Sequence, residues 1–269
     1  MSPSYTTDSY RCTASSLATT NLYEVDAEDT SQAVHDDLAE REYDVAPVVQ
    51  NSEPYGFVKR VDLEDAPDES PVKDHAKTVE LEHLIAPDAE FETVLEALYE
   101  RPRYFIASQD EISGILTRAD LNSQPARLHM FTHISLFEQT ARDLIKSKVP
   151  NWWEQTHLKT AVKDDIKSNQ EKARENNVDL PAIHYAQLST INKVLTSHEQ
   201  CWRELGFDTD HEASPWLHDV KELRNDVAHS NPIIQNTERG LTEEGRTITE
   251  LLDTYQFIRK VTEQTVINT

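Results

Sequence analysis

One strand–helix–strand–strand unit is written twice between Leu22 and Leu121. In the first copy a short strand at Leu22 to Val25 leads into a helix carrying Ala33, Val34 and Leu38. The apolar run Val45 to Val49, a turn at Asn51 to Pro54 and a strand from Tyr55 to Val61 follow. The second copy begins at Leu84-Ile85, continues in a helix with Val94, Leu95 and Leu98, and closes with Tyr104 to Ile106 and Gly114 to Thr117. Val34 and Leu38 recur sixty residues on, as Val94 and Leu98. Gly56, Arg60, Asp62 and Leu63 recur fifty-eight on, as Gly114, Arg118, Asp120 and Leu121. The slip of two is placed in the hairpin, because loops absorb length changes. The copies span about 21–65 and 80–124, joined by an acidic linker at Glu64 to Lys77 that holds Pro67 and Pro71. Two such halves can seat a small ligand between them.

After Gln124-Pro125 the strand signals end. Met130, Ile134, Phe137, Ala141 and Leu144 fall at helical spacing, and further helices are expected near 152–175, 183–205, 215–229 and 243–266. Ser214 is the expected cap of the fourth helix, with Pro215 at its first position. Thr242 before two glutamates suits the start of the last. The region 127–269 therefore reads as an all-α bundle. The whole chain reads as α+β, behind a polar, flexible leader at 1–20.

Against 26 basic side chains stand 49 acidic ones, a net charge of -23 spread along the chain. A hydrophobic content of 37% with clear periodicity argues for a folded chain with an acidic skin rather than a disordered one. Such skins suit concentrated salt, which screens their repulsion, and only 12 lysines agree with that. The expectation is a halophilic source. The same charge disfavours a broad grip on nucleic acid, which needs clustered Lys and Arg. Cys12 and Cys201 lie far apart and make neither a disulfide framework nor a zinc pair. With no signal-peptide pattern and no apolar run of membrane length, the expected compartment is the cytoplasm, with no membrane partner.

The chemistry of the repeat concentrates in Gly114-Ile115-Leu116-Thr117-Arg118-Ala119-Asp120. The glycine permits close backbone approach, and a hydroxyl and a carboxylate three apart mark a strand-to-helix junction. The helix start adds N–H groups that favour an anion. Together with Asp44 to Val49 and Tyr55 to Asp62, these residues resemble a tandem pair of CBS domains, βαββα modules that bind adenine nucleotides. The resemblance covers about 100 residues. It implies that Thr117 holds phosphate and Asp120 ribose, beside Gly114, with Ile115 and the Tyr104 to Ile106 strand walling the base. AMP, ADP or ATP would be the regulatory ligand. In the first copy Asp62 is kept but Lys59 stands where the threonine would be. A lysine can meet phosphate as a point charge, without the hydroxyl's geometry. The second copy is the expected site.

The second constellation lies in Trp216 to His229. On a helical wheel Leu217, Val220, Leu223 and Val227 make an apolar stripe, with Asn225, His229, His218 and Glu222 opposite and Arg224 flanking. Arg224-Asn225-x-x-x-His229 resembles the motif of the HEPN superfamily, helical domains found in many RNases. That resemblance implies a homodimer whose motifs converge and a metal-independent cleavage of RNA. His229 would be the general acid/base, Arg224 would stabilise phosphorane charge, and Asn225 would orient phosphate or His229. The same motif occurs in noncatalytic HEPN-like domains, so a sensor that docks a protein partner is the alternative. A structural role is open too, with Arg224 paired to a bundle carboxylate and His229 capping the helix. His129 and His133 are four apart, a metal-compatible spacing without a third ligand. They read as core or interface residues, and no metal is expected.

Overall fold

The computed structural model describes residues 11–108, 111–235 and 245–267. The chain divides into two compact units, one comprising Met1–Ala126 with Ile234–Thr249, the other Arg127–Ile233 with Glu250–Thr269.

The first unit starts with the one-turn helix α1 (Ala14–Leu17). The first copy is β1 (Val25–Asp26), α2 (Ser31–Glu40), β2 (Val45–Gln50), β3 (Glu53–Lys59) and the one-turn α3 (Arg60–Leu63). The second is β4 (Leu84–Ile85), α4 (Phe91–Glu100), β5 (Arg103–Ser108), β6 (Glu111–Thr117) and a 3-10 turn, Arg118–Asn122. Each copy forms a three-stranded sheet in which the first strand runs parallel to an antiparallel hairpin. Asn51 and Ser52, both at positive φ, make the tight two-residue turn of the first hairpin. One face of each helix is buried: Val34 and Leu38 in α2, and Val94, Leu95 and Leu98 in α4. Phe57, Phe105 and Ile112 form a buried cluster drawn from both copies.

The two-residue slip does not fall in the hairpin. Both hairpins keep the fifty-eight spacing throughout, down to matching bulges after Val48 and Ile106. The slip lies between helix and hairpin. Four residues from Arg41 to Asp44 separate α2 from β2, with Glu42 at positive φ, whereas Arg101 and Pro102 alone separate α4 from β5. Proline forbids a continued helix and forces the shorter exit.

From Cys12 onward the expected leader packs as part of the fold. Cys12, Ala14 and Leu17 are buried, and Thr19 exchanges backbone hydrogen bonds with Ile115 at 2.9 and 3.0 Å. Residues 1–10 lie outside the described residues. The linker is likewise part of the fold, with Val72 fully buried in the first copy's core. Lys77 exchanges backbone bonds with Phe57 at 2.8 and 2.9 Å. Thr19 and Lys77 are themselves fifty-eight apart, as are Phe57 and Ile115 (19 to 77, 57 to 115). The repeat therefore includes a strap ahead of each copy, and each strap pairs with the hairpin of the other copy.

The second unit is helical: α5 (Gln124–Lys148), α6 (Trp152–Gln155), α7 (Thr160–Glu175), α8 (Leu188–Ser197), α9 (Glu199–Glu204), α10 (Asp210–His229) and α11 (Ile248–Ile267), the first and last beginning in the first unit. Two expected long helices are each interrupted. α10 starts five residues before Pro215, because the Thr209 hydroxyl accepts from the Glu212 N–H at 3.2 Å and provides the cap expected of Ser214. The start of the last helix expected at Thr242 lies outside the described residues. No described helix is long and apolar enough to cross a membrane.

Candidate functional site

At the end of β6 the chain turns into its 3-10 helix around one carboxylate. Asp120 Oδ2 accepts from the Thr117 backbone N–H at 2.6 Å and from the Thr117 hydroxyl at 2.9 Å. Asp120 Oδ1 lies 3.5 Å from the Thr19 hydroxyl, which donates to it. Burial pushes the Asp120 carboxyl above its ordinary range, against the pull of the Thr117 hydrogen bonds. Gly114 is buried beside this junction and Ile115 is half-buried. A Cβ on Gly114 would lie 3.4 Å from Ala18 Cβ and from the Thr19 carbonyl.

One oxygen of Asp120 is fixed by Thr117, while the other keeps lone pairs for further hydroxyl donors. Tyr104, Phe105 and Ile106 are buried, and Ile115 is the more exposed apolar neighbour of the junction.

In the first copy the equivalent carboxylate is engaged differently. Lys77 Nζ donates to Asp62 Oδ2 at 2.6 Å. Lys59 precedes α3 as its N-terminal flanking residue, with Asp62 in the first turn. The repeated arginine serves the fold: Arg118 is buried, and its Nε and Nη2 donate to the Leu98 and Tyr99 carbonyls at 2.8 and 3.3 Å, capping α4.

Sequence reasoning missed Thr19, Lys77 and the capping role of Arg118. A signal for the first two was present. Residues 14–20 and 72–78 align at the same fifty-eight spacing, with Ala18 against Ala76 and Thr20 against Thr78.

In the helical unit, Leu217, Val220 and Leu223 of α10 are buried. Arg224 Nη1 donates to Asn225 Oδ1 at 3.3 Å. Its Nε lies 3.6 Å from Glu138 Oε1, while Glu138 Oε2 pairs with Arg142 at 2.8 Å. His229 is the last residue of α10 and is exposed, before Ser230 at φ 58. His129 and His133 face α11. His129 Nε2 lies 2.9 Å from the Tyr255 hydroxyl, and the two imidazole centroids are 4.4 Å apart. His133 Nδ1 is buried without a hydrogen-bond partner among the described residues. Burial, then His133 and Arg259, bring His129 down to about 3. Burial and Arg259 bring His133 to about 4. Among the described residues no group of three or more His, Cys, Asp or Glu could hold a metal ion. Burial raises both free thiols, Cys12 and Cys201, to about 11.

No protein-family model matches the chain, and no curated protein is significantly similar to it in sequence. Solved structures similar to it are CBS-domain proteins, matched over its N-terminal part. CBSX2 in complex with AMP shares 19% identity at a TM-score of 0.37, over 44% of this chain and 97% of that one. A CBS domain-containing protein of unknown function from Bacillus anthracis shares 17% at 0.37, over 42% and 93%. A conserved CBS domain protein of unknown function from Thermoplasma acidophilum shares 16% at 0.36, over 41% and 67%.

Proposed function

We propose that this chain is an adenine-nucleotide-sensing regulatory protein, in which a CBS-type pair governs a HEPN-like helical unit that works as a homodimer. The observation that carries the sensing half is the Thr117–Asp120 junction. It presents a half-buried carboxylate with one oxygen fixed and the other able to accept from a vicinal diol. Gly114, Ile115 and Thr19 surround it, and Thr117 is the group for phosphate once its hydroxyl turns from Asp120. The test is thermal unfolding with and without AMP. A ligand that binds only the folded state stabilises it by RT ln(1 + [L]/Kd), or about 2.7 kcal/mol at a hundredfold excess over Kd. The wild type is expected to shift and Asp120→Asn to lose the shift. The asparagine amide oxygen can still accept from the Thr117 N–H, so the fold should survive. An equal shift in both proteins would remove this site.

For the output, the RNase reading assigns general acid/base chemistry to the exposed His229, with Arg224 and Asn225 on the phosphate. The noncatalytic reading is favoured by one observation: Arg224 is already held by Glu138 and Asn225. RNA cleavage at molar salt separates them. An RNase loses roughly 10²–10⁴-fold in rate in His229→Ala. Equal rates in the two proteins, or none in either with and without AMP, leave the docking sensor.

A further inference from the structure

Lys59, Lys73 and Lys77 are the only lysines among residues 1–145, and all three belong to the first copy or the strap that pairs with it. The second copy, built on the same backbone, has none. Two of the three fall at positions where the second site carries threonines: Lys77 matches Thr19 and Lys59 matches Thr117, while Asp62 matches Asp120. We infer that the first site is closed to nucleotide by its own chain, with Lys77 the internal cation that occupies Asp62, so that the pair binds one nucleotide per chain. This inference rests on the nucleotide reading given above.

Two independent observations support it. The first is chemical. Asp62 Oδ2 holds the Lys77 ammonium at 2.6 Å, where Asp120 Oδ1 meets the Thr19 hydroxyl at 3.5 Å. A diol arriving at Asp62 would replace a bond between two full charges by bonds in which only the carboxylate is charged, and would leave the Lys77 ammonium without this partner. Lys77 is also delivered by a strap whose backbone is bonded to Phe57 in both directions. The second is steric. A Cβ on Gly56 would collide with the Lys77 carbonyl oxygen, whereas one on Gly114 would stand 3.4 Å from the Thr19 carbonyl. The strap therefore lies tighter over the first glycine than over the second.

AMP titration of the full chain by calorimetry reads the stoichiometry directly. The wild type should bind one AMP per chain, lost in Asp120→Asn. The double variant Lys59→Thr/Lys77→Thr should bind two, its second site within about tenfold of the first in affinity, and adding Asp120→Asn should remove one of them. Lys77→Gln keeps the length of the side chain and removes its charge. If the double variant fails to fold, Lys77→Gln should itself show the second site. Two sites in the wild type, or one site in folded variants that lack the Lys77 charge, would overturn the closure while leaving the nucleotide reading intact. Absence of AMP binding in every variant would overturn both.

Discussion

Single side chains in this protein are read correctly only with their partners in view. His129 and His133 had the spacing of a metal pair, but they are half-buried neutral rings packed tilted and edge-on against Tyr255 and close to the cationic Arg259. Arg259 is itself bonded to Glu263. Unfolded imidazoles take up protons near pH 6.5, whereas these rings resist protonation down to about 3 and about 4. Between those values the unfolded chain binds more protons, so stability is full above about pH 6.5 and falls as the pH drops towards 4. Each ring contributes a slope of up to about 1.4 kcal/mol per pH unit. Urea unfolding at pH 7.5, 6 and 5 should show that loss in the helical unit. His133→Gln, neutral at every pH, should reduce the slope and leave the contribution of His129. An equal slope in wild type and variant would mean that His133 titrates alike in both states.

The elements of the repeat were legible in the sequence, but its true extent was not. Val34 with Val94 and Gly56 with Gly114 stood out because apolar spacing and glycine are strong local signals. The straps were hidden because their order comes from backbone pairing with a distant hairpin, which asks little of side-chain identity. Thr19 and Lys77 share no chemistry, yet they hold the same place. The slip was misplaced for a related reason: Glu42 at positive φ is a tertiary choice that no turn motif announces. The Arg224 motif was legible as a pattern, while the Glu138 that engages it lies eighty-six residues earlier (138 to 224) on another helix. The strap geometry predicts unequal glycines. Gly56→Ala drives a methyl against the Lys77 carbonyl, a backbone atom that cannot swing aside, and should cost about 1–3 kcal/mol. Gly114→Ala meets its neighbours at ordinary contact distance and should cost about 1 kcal/mol or less. Denaturant midpoints of the two variants check this, and equal losses would mean that the straps lie alike over both copies.

For the molecule as a whole, the dominant quantity is the charge of -23. Its described ion pairs are mostly exposed, such as Arg174 with Asp179 and Arg203 with Glu199, and pairs of that kind contribute about 0–1 kcal/mol each. They do not neutralise the surplus of carboxylates, so at low ionic strength self-repulsion works against both compact units. Added salt relieves that repulsion, and the form of the relief separates two readings of the acidic skin. The Debye length is already about 10 Å at 0.1 M and about 3 Å at 1 M, so simple screening is largely complete by about 0.5 M. An ordinary acidic protein should then reach a plateau in its melting midpoint. A chain adapted to brine should keep gaining stability into the molar range, because hydrated carboxylates and salt-strengthened apolar burial continue to act after screening is spent. We expect the midpoint in KCl to rise steeply to 0.5 M and to go on rising to 3 M. A plateau near 0.5 M would leave the acidic skin without a halophilic meaning. The salt series also sets the conditions for the RNA assay: a polyanion approaches this surface only where repulsion is screened, so any cleavage dependent on His229 should be faster in molar KCl than at 0.1 M.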